Sequence, residues 1–375
     1  MRLEPLSGDD PHDVLQALRG ALVGRGPALG LGMLAPAHGI VPDRTAVVVT
    51  TSGSTGIPKS VVLSRDALTA SALATAARIG DGSWLLALPA SYVAGLQVLV
   101  RALVAGREPA ILEGAFSPAS FTTAALSLAR REGGPTYTSL VPAQLSRLLD
   151  AAATDAETAR ALRSFEAILV GGQALPPAVR DRAVDLGARI VRTYGSTETS
   201  GGCVYDGVPL RGVEARIVDA EVQLSGPTLA TGYLGDDALA DAVFPRDADG
   251  TRWYRTGDAG VIEDGVLRVR GRIDNVIVSG GINISLDRVE RAVHTVTGLE
   301  HAVVVGVPDE RWGEASVIVV AGWSDQDSAL LAKARAVVAA EVGSPARPAR
   351  LVRVDAIPEL SSGKPDREQI RRGLA

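Results

Sequence analysis

The chain has 375 residues, 46% of them hydrophobic and 22% charged, with a formal net charge of −5. That length supports two domains and a core that needs no covalent staples, and the charge offers no footing for nucleic acid or an anionic membrane surface. One cysteine, Cys203, excludes a disulfide framework within the chain, fits a reducing cytoplasm, and reads as a small residue in a Gly-rich turn.

The first 13 residues carry acidic side chains and no apolar run, so a secretory signal is not expected. The most apolar stretch, 84–104, is interrupted by Pro89, Ser91, Gln97 and Arg101 and falls short of a membrane span. Four scattered histidines lack the spacing of a structural zinc site. Of the 38 basic residues only Lys59, Lys333 and Lys364 are lysines. A chain so biased toward arginine keeps a lysine mainly where a compact ammonium is needed. Lys333 sits in an Ala-rich helical pattern, whereas Lys59 and Lys364 sit in Ser/Gly-rich turns.

In chain order, residues 11–22 predict an amphipathic helix, followed by a loose Gly/Pro-rich segment at 24–39. Strand signals at 46–49 and 61–63 flank a Ser/Thr/Gly loop. A helix at 65–79 has Ser64 as N-cap and Gly80 as stop. Strands at 83–88, 110–112, 136–141, 167–170 and 190–193 then alternate with helices at 93–104, 118–131, 142–149 and 176–186. This is the pattern of a layered, mostly parallel α/β sheet. From 212 to 272 short strands follow one another without a helix of length, which predicts a small antiparallel β subdomain. Beyond residue 271 a helix at 286–297, strands at 302–307 and 316–322, a helix at 328–341 and a strand at 350–354 predict an α+β unit. The expected division is therefore α/β: a large N-terminal domain, 1–271, a hinge at 272–275, and a small mobile C-terminal domain, 276–375.

The loop Thr50-Thr-Ser-Gly-Ser-Thr-Gly-Ile-Pro-Lys59 presents hydroxyls, backbone N–H groups and one ammonium, a donor set suited to phosphate oxygens. Gly53, Lys59 and Ser60 match the spacing of a Walker A loop, but Pro58 stands where that motif requires glycine, and a strand follows instead of a helix. A clamp of another lineage, or a plain hairpin, remains.

Further motifs line up downstream. Tyr194-Gly-Ser-Thr-Glu-Thr199 follows a strand and so belongs at the carboxyl end of the sheet, where open α/β folds bind ligands. Arg255-Thr-Gly-Asp258 offers a carboxylate for ribose hydroxyls. Gly271-Arg-Ile-Asp-Asn275 adds a second ribose partner and a charged pivot, and Ser361-Ser-Gly-Lys364 brings an ammonium from the chain's far end.

In this order the motifs resemble the AMP-forming acyl-CoA synthetases of the adenylate-forming superfamily, over about residues 45–367. The resemblance implies that Thr51, Ser52, Gly53, Ser54, Thr55, Gly56 and Lys59 hold the ATP phosphates. It implies that Gly171, Gly172 and Gln173 line the adenine edge and acyl pocket. Tyr194, Gly195, Ser196 and Thr197 would contact AMP, Glu198 would hold Mg2+, and Asp258 with Arg272 would bind ribose. Asp274 would be the hinge, Lys364 the lysine of adenylation together with Thr197 and Glu198, and Gly280-Gly281 part of the CoA tunnel. ATP, Mg2+ and CoA are the implied cofactor and cosubstrates, acting on a carboxylic acid in the cytoplasm without nucleic acid or membrane insertion, with a homodimer as the open assembly.

Two departures stand out. The phosphate loop begins near residue 50, where most of the family has it well over a hundred residues in, so much of the N-terminal subdomain is expected to be missing. The family's P-x-x-H-x-x-G reads Pro89-Ala-Ser-Tyr-Val-Ala-Gly95 here, with Ser91 or Tyr92 at the histidine's place. The compact form and the segments 91–101 and 138–147 are similar to o-succinylbenzoate–CoA ligases of menaquinone biosynthesis. That resemblance implies an acyl pocket drawn from Tyr92, Gly95, Gln97, Ser196 and Gly201-Gly202, with Arg101 or Arg192 supplying charge to the second carboxylate. A CoA ligase for another small or aromatic acid, and a stand-alone adenylation domain loading a carrier protein, are the alternatives.

Overall fold

The computed structural model describes residues 1–32, 39–51, 58–360 and 364–374. Its centre is a seven-stranded sheet in which Ile190–Ser196, Ala167–Val170, Thr136–Leu140, Ser83–Leu86 and Ala110–Ile111 run parallel. Gly201–Tyr205 and Val208–Pro209 continue it antiparallel. The strands Ala167–Val170 and Ser83–Leu86 are buried at every position, as expected for parallel strands covered on both faces. Thr138 lies in this core because its hydroxyl donates to the carbonyl of Leu85 at 2.9 Å.

A second sheet joins Leu3–Leu6, Ala28–Leu31, Thr45–Thr51, Lys59–Ser64 and Gly232–Tyr233. Between the two sheets lie the helices Arg65–Ile79 and Val93–Val104, whose apolar residues share one core with strands of both. The first of these helices is capped by Ser64, whose hydroxyl accepts from the N–H of Ala67 at 3.1 Å. A four-stranded antiparallel sheet, Glu214–Val218, Glu221–Ser225, Trp253–Glu263 and Val266–Arg272, matches the expected β subdomain.

From Val276 onward the chain builds a further sheet with its own apolar core. Its hairpin Val276–Ser279/Ile282–Ser285 turns on Gly280 and Gly281, with φ of 58° and 81°. Two successive positive φ values define the turn that matches the right-handed strand twist, and glycine meets that demand without steric cost. This unit docks on the helix Pro142–Ala152: Ser146 Oγ lies 3.0 Å from His301 Nε2, and Arg147 lies 3.9 Å from Glu359.

The structure amends several sequence-based expectations. The segment at 24–39 contains a buried strand, Ala28–Leu31, whose two leucines flank Gly30. Ala156–Ser164 is a helix built mostly of charged, hydroxylated and alanine residues, so apolar periodicity misses it, although Asp155 caps it through the N–H groups of Glu157 and Thr158. Asp237–Val243 adds a short helix to the β region. Cys203 is not in a turn but in a strand, fully buried, where desolvation pushes its thiol up to about 12. The strand expected to stop at Thr193 runs on through Ser196, because Gly201–Tyr205 pairs with it up to Ser196↔Gly201.

That pairing explains Gly195: a Cβ there would lie 2.3 Å from the carbonyl oxygen of Gly201. Gly195→Ala is expected to destabilise the protein by about 1–3 kcal/mol in urea unfolding, the usual cost of overpacking; unchanged stability would show that the two strands part easily.

Candidate active site

The strands Thr45–Thr51 and Lys59–Ser64 pair antiparallel, with Thr51 opposite Lys59. The Ser/Thr/Gly loop therefore joins strand to strand, as its flanking residues predict. Thr50 Oγ1 and Ser60 Oγ lie 3.0 Å apart and tie the base of this hairpin. Ser52, Gly53, Ser54, Thr55 and Gly56 lie outside the described residues. Lys59 projects its ammonium over the ring of Tyr233, 5.7 Å from the centroid.

The end of Ile190–Ser196 and the turn after it face this hairpin. The hydroxyl of Tyr233 donates to Glu198 Oε1 at 2.9 Å, and the N–H of Ala230 donates to the Glu198 carbonyl at 2.8 Å. The turn itself is internally braced, with the N–H of Ser196 donating to Thr199 Oγ1 at 2.9 Å and Ser196 Oγ donating to Tyr254 Oη at 3.3 Å. Thr197 is buried beside them. Through its side chain Glu198 accepts only the Tyr233 bond among the described residues. Its second oxygen is a hard, anionic donor suited to a divalent cation. The described residues hold no group of three or more His, Cys, Asp or Glu that would cage a metal alone. One carboxylate oxygen plus nucleotide phosphates is the donor set that Mg2+ usually takes, so the residues fit that ion.

Asp258 occupies the opposite wall. Tyr194 donates its hydroxyl to Asp258 Oδ2 at 2.6 Å, and Arg272 Nη1 approaches Asp258 Oδ1 at 3.5 Å. Burial raises the Asp258 carboxyl above its ordinary value, against the Tyr194 hydrogen bond and the Arg272 charge. Arg272 in turn grips Asp274 through Nε and Nη2 at 2.9 and 2.8 Å and donates from Nη1 to the Thr256 carbonyl at 2.8 Å. The Asp274 hydrogen bonds push the Arg272 guanidinium upward. Ribose-type carboxylate, arginine and expected pivot thus form one connected group.

Lys364 arrives from the C-terminal unit. A Cβ at Gly172 would lie 3.7 Å from Lys364 Cε, so the lysine stem passes over the Gly171-Gly172 turn. Gly171 itself has no room for a Cβ, which would lie 2.3 Å from Thr193 Oγ1. Lys364 is exposed as a residue, but desolvation of its ammonium lowers its pKa below 10.5, while the charges of Asp258 and Glu198 oppose that shift. Three charged groups from distant parts of the chain therefore share one cleft. Gln173 is half-buried at its edge, with Nε2 unpartnered among the described residues. The Gly280-Gly281 turn is not brought here; it packs on Trp312, whose carbonyl accepts from the Gly280 N–H at 2.8 Å.

Of the expected acyl-pocket residues, Tyr92, Gly95 and Gln97 lie at or in the helix Val93–Val104, and Ser196, Gly201 and Gly202 lie on the paired strands Ile190–Ser196 and Gly201–Tyr205. Tyr92 occupies the N-cap position without a side-chain capping bond, and Gly95 sits against Pro89, whose carbonyl oxygen would be 2.2 Å from a Cβ. Gln97 is fully buried with both amide atoms unpartnered among the described residues, and Gly201 lies against its stem. One turn further, Arg101 is only 6% exposed, where a surface position is the usual place for an arginine. Its guanidinium lies 4.9 Å from the Trp84 ring centroid and donates to Tyr205 Oη at 3.3 Å, and burial lowers its pKa. No carboxylate pairs with it among the described residues. A cavity of about 60 Å³ adjoins it, lined in part by Thr75, Trp84 and Val104 and by the carboxylate-bearing Asp81. Arg192, the other candidate, is exposed and paired with Asp206 at 2.9 Å.

Tyr233 and Tyr254 are the side chains that the motifs do not single out. Scarcity is the signal that marks them: the chain has six tyrosines, and Tyr194, Tyr233 and Tyr254 all border this cleft. Burial raises all three phenols, so they act as hydroxyl donors or acceptors rather than phenolates. Competitive acetylation across the alkaline range is expected to give Lys364 a midpoint below 10.5, since a desolvated ammonium loses its proton at lower pH; a midpoint at or above that value would mean that the two carboxylates outweigh burial.

A family profile described as AMP-binding enzyme matches residues 7–234, and one described as AMP-binding enzyme C-terminal domain matches 288–364. The probable 2-succinylbenzoate–CoA ligase of Mycobacterium tuberculosis is 39% identical over 378 residues, covering 96% of this chain and 95% of that enzyme. The 2-succinylbenzoate–CoA ligase of Salmonella typhimurium is 34% identical over 290 residues, covering 74% of this chain and 58% of that enzyme. Among solved structures, O-succinylbenzoate coenzyme A synthetase from Bacillus subtilis in complex with AMP aligns with a TM-score of 0.71 at 26% identity, over 88% of this chain and 69% of that one. No helix among the described residues is long and apolar enough to cross a membrane. With the profile match spanning more than half of its length and the cleft built on the matched motifs, this chain belongs to the AMP-binding enzyme family.

Proposed function

We propose that this chain is an ATP-dependent 2-succinylbenzoate–CoA ligase acting in the cytoplasm as part of menaquinone biosynthesis. The observation that carries the reading is the meeting of Lys364 with Asp258 and Glu198 beside the phosphate hairpin. A carboxylate is a poor acyl donor because oxide is a poor leaving group. Its oxygen attacks the α-phosphorus of ATP, the bond to the β-phosphate oxygen breaks, and acyl-AMP and pyrophosphate form. A thiol sulfur then attacks the acyl carbon, AMP leaves with the bonding pair, and the thiol proton passes to solvent.

In the first step the protein's work is alignment and charge neutralisation. Lys59 and the loop residues 51–56 hold the β- and γ-phosphates. Thr197 and Lys364 meet the α-phosphate and the incoming carboxylate, and Asp258 with Arg272 accepts and supports the ribose. The Tyr194 ring faces adenine while its hydroxyl orients Asp258. Glu198 would hold Mg2+, whose positive charge would offset that of the departing pyrophosphate. For the second step the unit beyond residue 275 turns about Asp274, withdrawing Lys364 and bringing Gly280-Gly281 to the thiol. The grip of Arg272 on Asp274 is an exposed ion pair, which opens at small cost, and that supports a pivot there.

The acid has a second carboxylate, and Arg101 is its partner in this reading. A buried guanidinium stacked on Trp84, with no anion of its own among the described residues, favours it over Arg192. Gly95 and Gly201 are packed on Pro89 and Gln97 where a Cβ would stand, so in this reading the pocket draws on Ser196 and on the Gln97 amide, which supplies unspent hydrogen bonds.

ATP–pyrophosphate exchange over a panel of acids tests the whole reading. Exchange is expected with 2-succinylbenzoate; exchange with benzoates or amino acids alone redirects the substrate, and none with any acid overturns the ligase. Lys364→Ala is expected to lose exchange by a factor of about 100 or more while still forming thioester from supplied acyl-AMP, and equal loss of both steps refutes its role. Arg101→Leu is expected to raise the KM for 2-succinylbenzoate about thirty-fold, or about 2 kcal/mol, with the KM for ATP unchanged. A parallel rise in both constants would place Arg101 outside the acid pocket.

A further inference from the structure

We propose that Tyr233 is a positioning residue for adenylation, its ring seating Lys59 and its hydroxyl setting the carboxylate of Glu198. One side chain would then fix the distance between the two charges that meet the triphosphate and its metal. The inference rests on the ligase reading above and adds to it a residue that no motif of the site includes.

Tyr233 is held from three directions. The two-residue strand Gly232–Tyr233 pairs antiparallel with the phosphate hairpin, Tyr233 opposite Val61 and Gly232 opposite Val62. Lys59 lies two residues from Val61 on the same strand, hence on the same face, and this diagonal neighbourhood places its ammonium over the ring. On either side of the strand, the N–H groups of Thr231 and Leu234 donate to the carbonyls of Val62 and Ser60, both at 2.8 Å. Ala230 ties the same segment to the backbone of Glu198. Beneath, Tyr233 packs on Phe244, with centroids 5.9 Å apart, and Phe244 packs on Tyr254 at 5.3 Å. The residue is 6% exposed, so its ring has no freedom to leave.

The consequence is chemical. The Tyr233 hydroxyl engages Glu198 Oε1 at 2.9 Å and leaves the second oxygen for a cation. Partners that orient a metal-holding carboxylate commonly matter about 10- to 100-fold in metal affinity. The ring acts separately on Lys59, since a cation over an aromatic face is held without a counter-charge that would compete with phosphate.

Two variants separate these effects. Tyr233→Phe keeps the ring and its packing on Phe244 and removes only the hydroxyl; Tyr233→Leu removes both. In exchange assays Tyr233→Phe is expected to raise the half-saturating Mg2+ concentration about ten-fold or more, with the KM for ATP at saturating Mg2+ nearly unchanged. Tyr233→Leu is expected to raise the KM for ATP as well. Mn2+ affinity measured by electron paramagnetic resonance with α,β-methylene-ATP should fall by the same factor in Tyr233→Phe, with no turnover required. Wild-type Mg2+ and Mn2+ dependence in Tyr233→Phe overturns the proposal, as does an ATP constant that moves equally in both variants. A wild-type enzyme that exchanges with no acid counts against the ligase reading instead, because the Mn2+ measurement needs no acid.

Discussion

The guanidinium of Arg272 is the junction on which the arrangement depends. It bonds Asp274, supports Asp258 and satisfies the carbonyl of Thr256, while the residue's backbone N–H donates to Asp287 at 2.6 Å. Asp287 lies on the first helix of the C-terminal unit and also accepts from Asn275 at 2.7 Å. One residue therefore joins the nucleotide cleft, the linker and the next helix. A lysine ammonium has too few fixed donor directions to do this. Asp258 is pushed toward its neutral form by burial, and the fork and the Tyr194 hydroxyl counter that push.

The proposed phosphate clamp would follow from the same economy of charge. A Walker loop relies on a helix N-terminus for part of its positive potential. This hairpin returns into a strand and so sets no helix N-terminus beneath the clamp, and in the proposed function side-chain cations stand in. Lys59 is fixed from the hairpin and Lys364 is delivered from about 300 residues away in sequence. A charge on a separate unit can be removed again, which a helix dipole cannot. That difference suits the proposed two-step reaction, whose first step would need the ammonium and whose second would not.

Much of the fold is legible in the chain because local signals agree with it. The helices Arg65–Ile79 and Val93–Val104, and the strands Ala167–Val170 and Arg350–Val354, lie at the expected positions, each with clear apolar runs or caps. Elements with no such signal are missed. The two-residue strand Gly232–Tyr233 is too short for periodicity, and the helix Ala156–Ser164 is mostly polar. In both, partners elsewhere in the chain stabilise what local composition does not announce. Cys203 shows the same limit in reverse: its Gly-rich neighbours suggest a turn, and pairing with Ile190–Ser196 makes it part of a core strand.

Composition and local pattern alone marked Lys59 and Lys364 and set the loop at 50–59 apart from a Walker motif, and the resemblance carried by the motif order grouped Glu198 with Asp258. Residue chemistry and spacing are local properties, so they can be read without coordinates. Only the tertiary structure decided which of two arginines is buried without an anion among the described residues, that Gln97 holds unspent hydrogen bonds, and that Tyr233 stands between lysine and glutamate. Burial and unmet polar groups arise from segments far apart in the chain closing on one another. A single residue's identity carries no record of that closure.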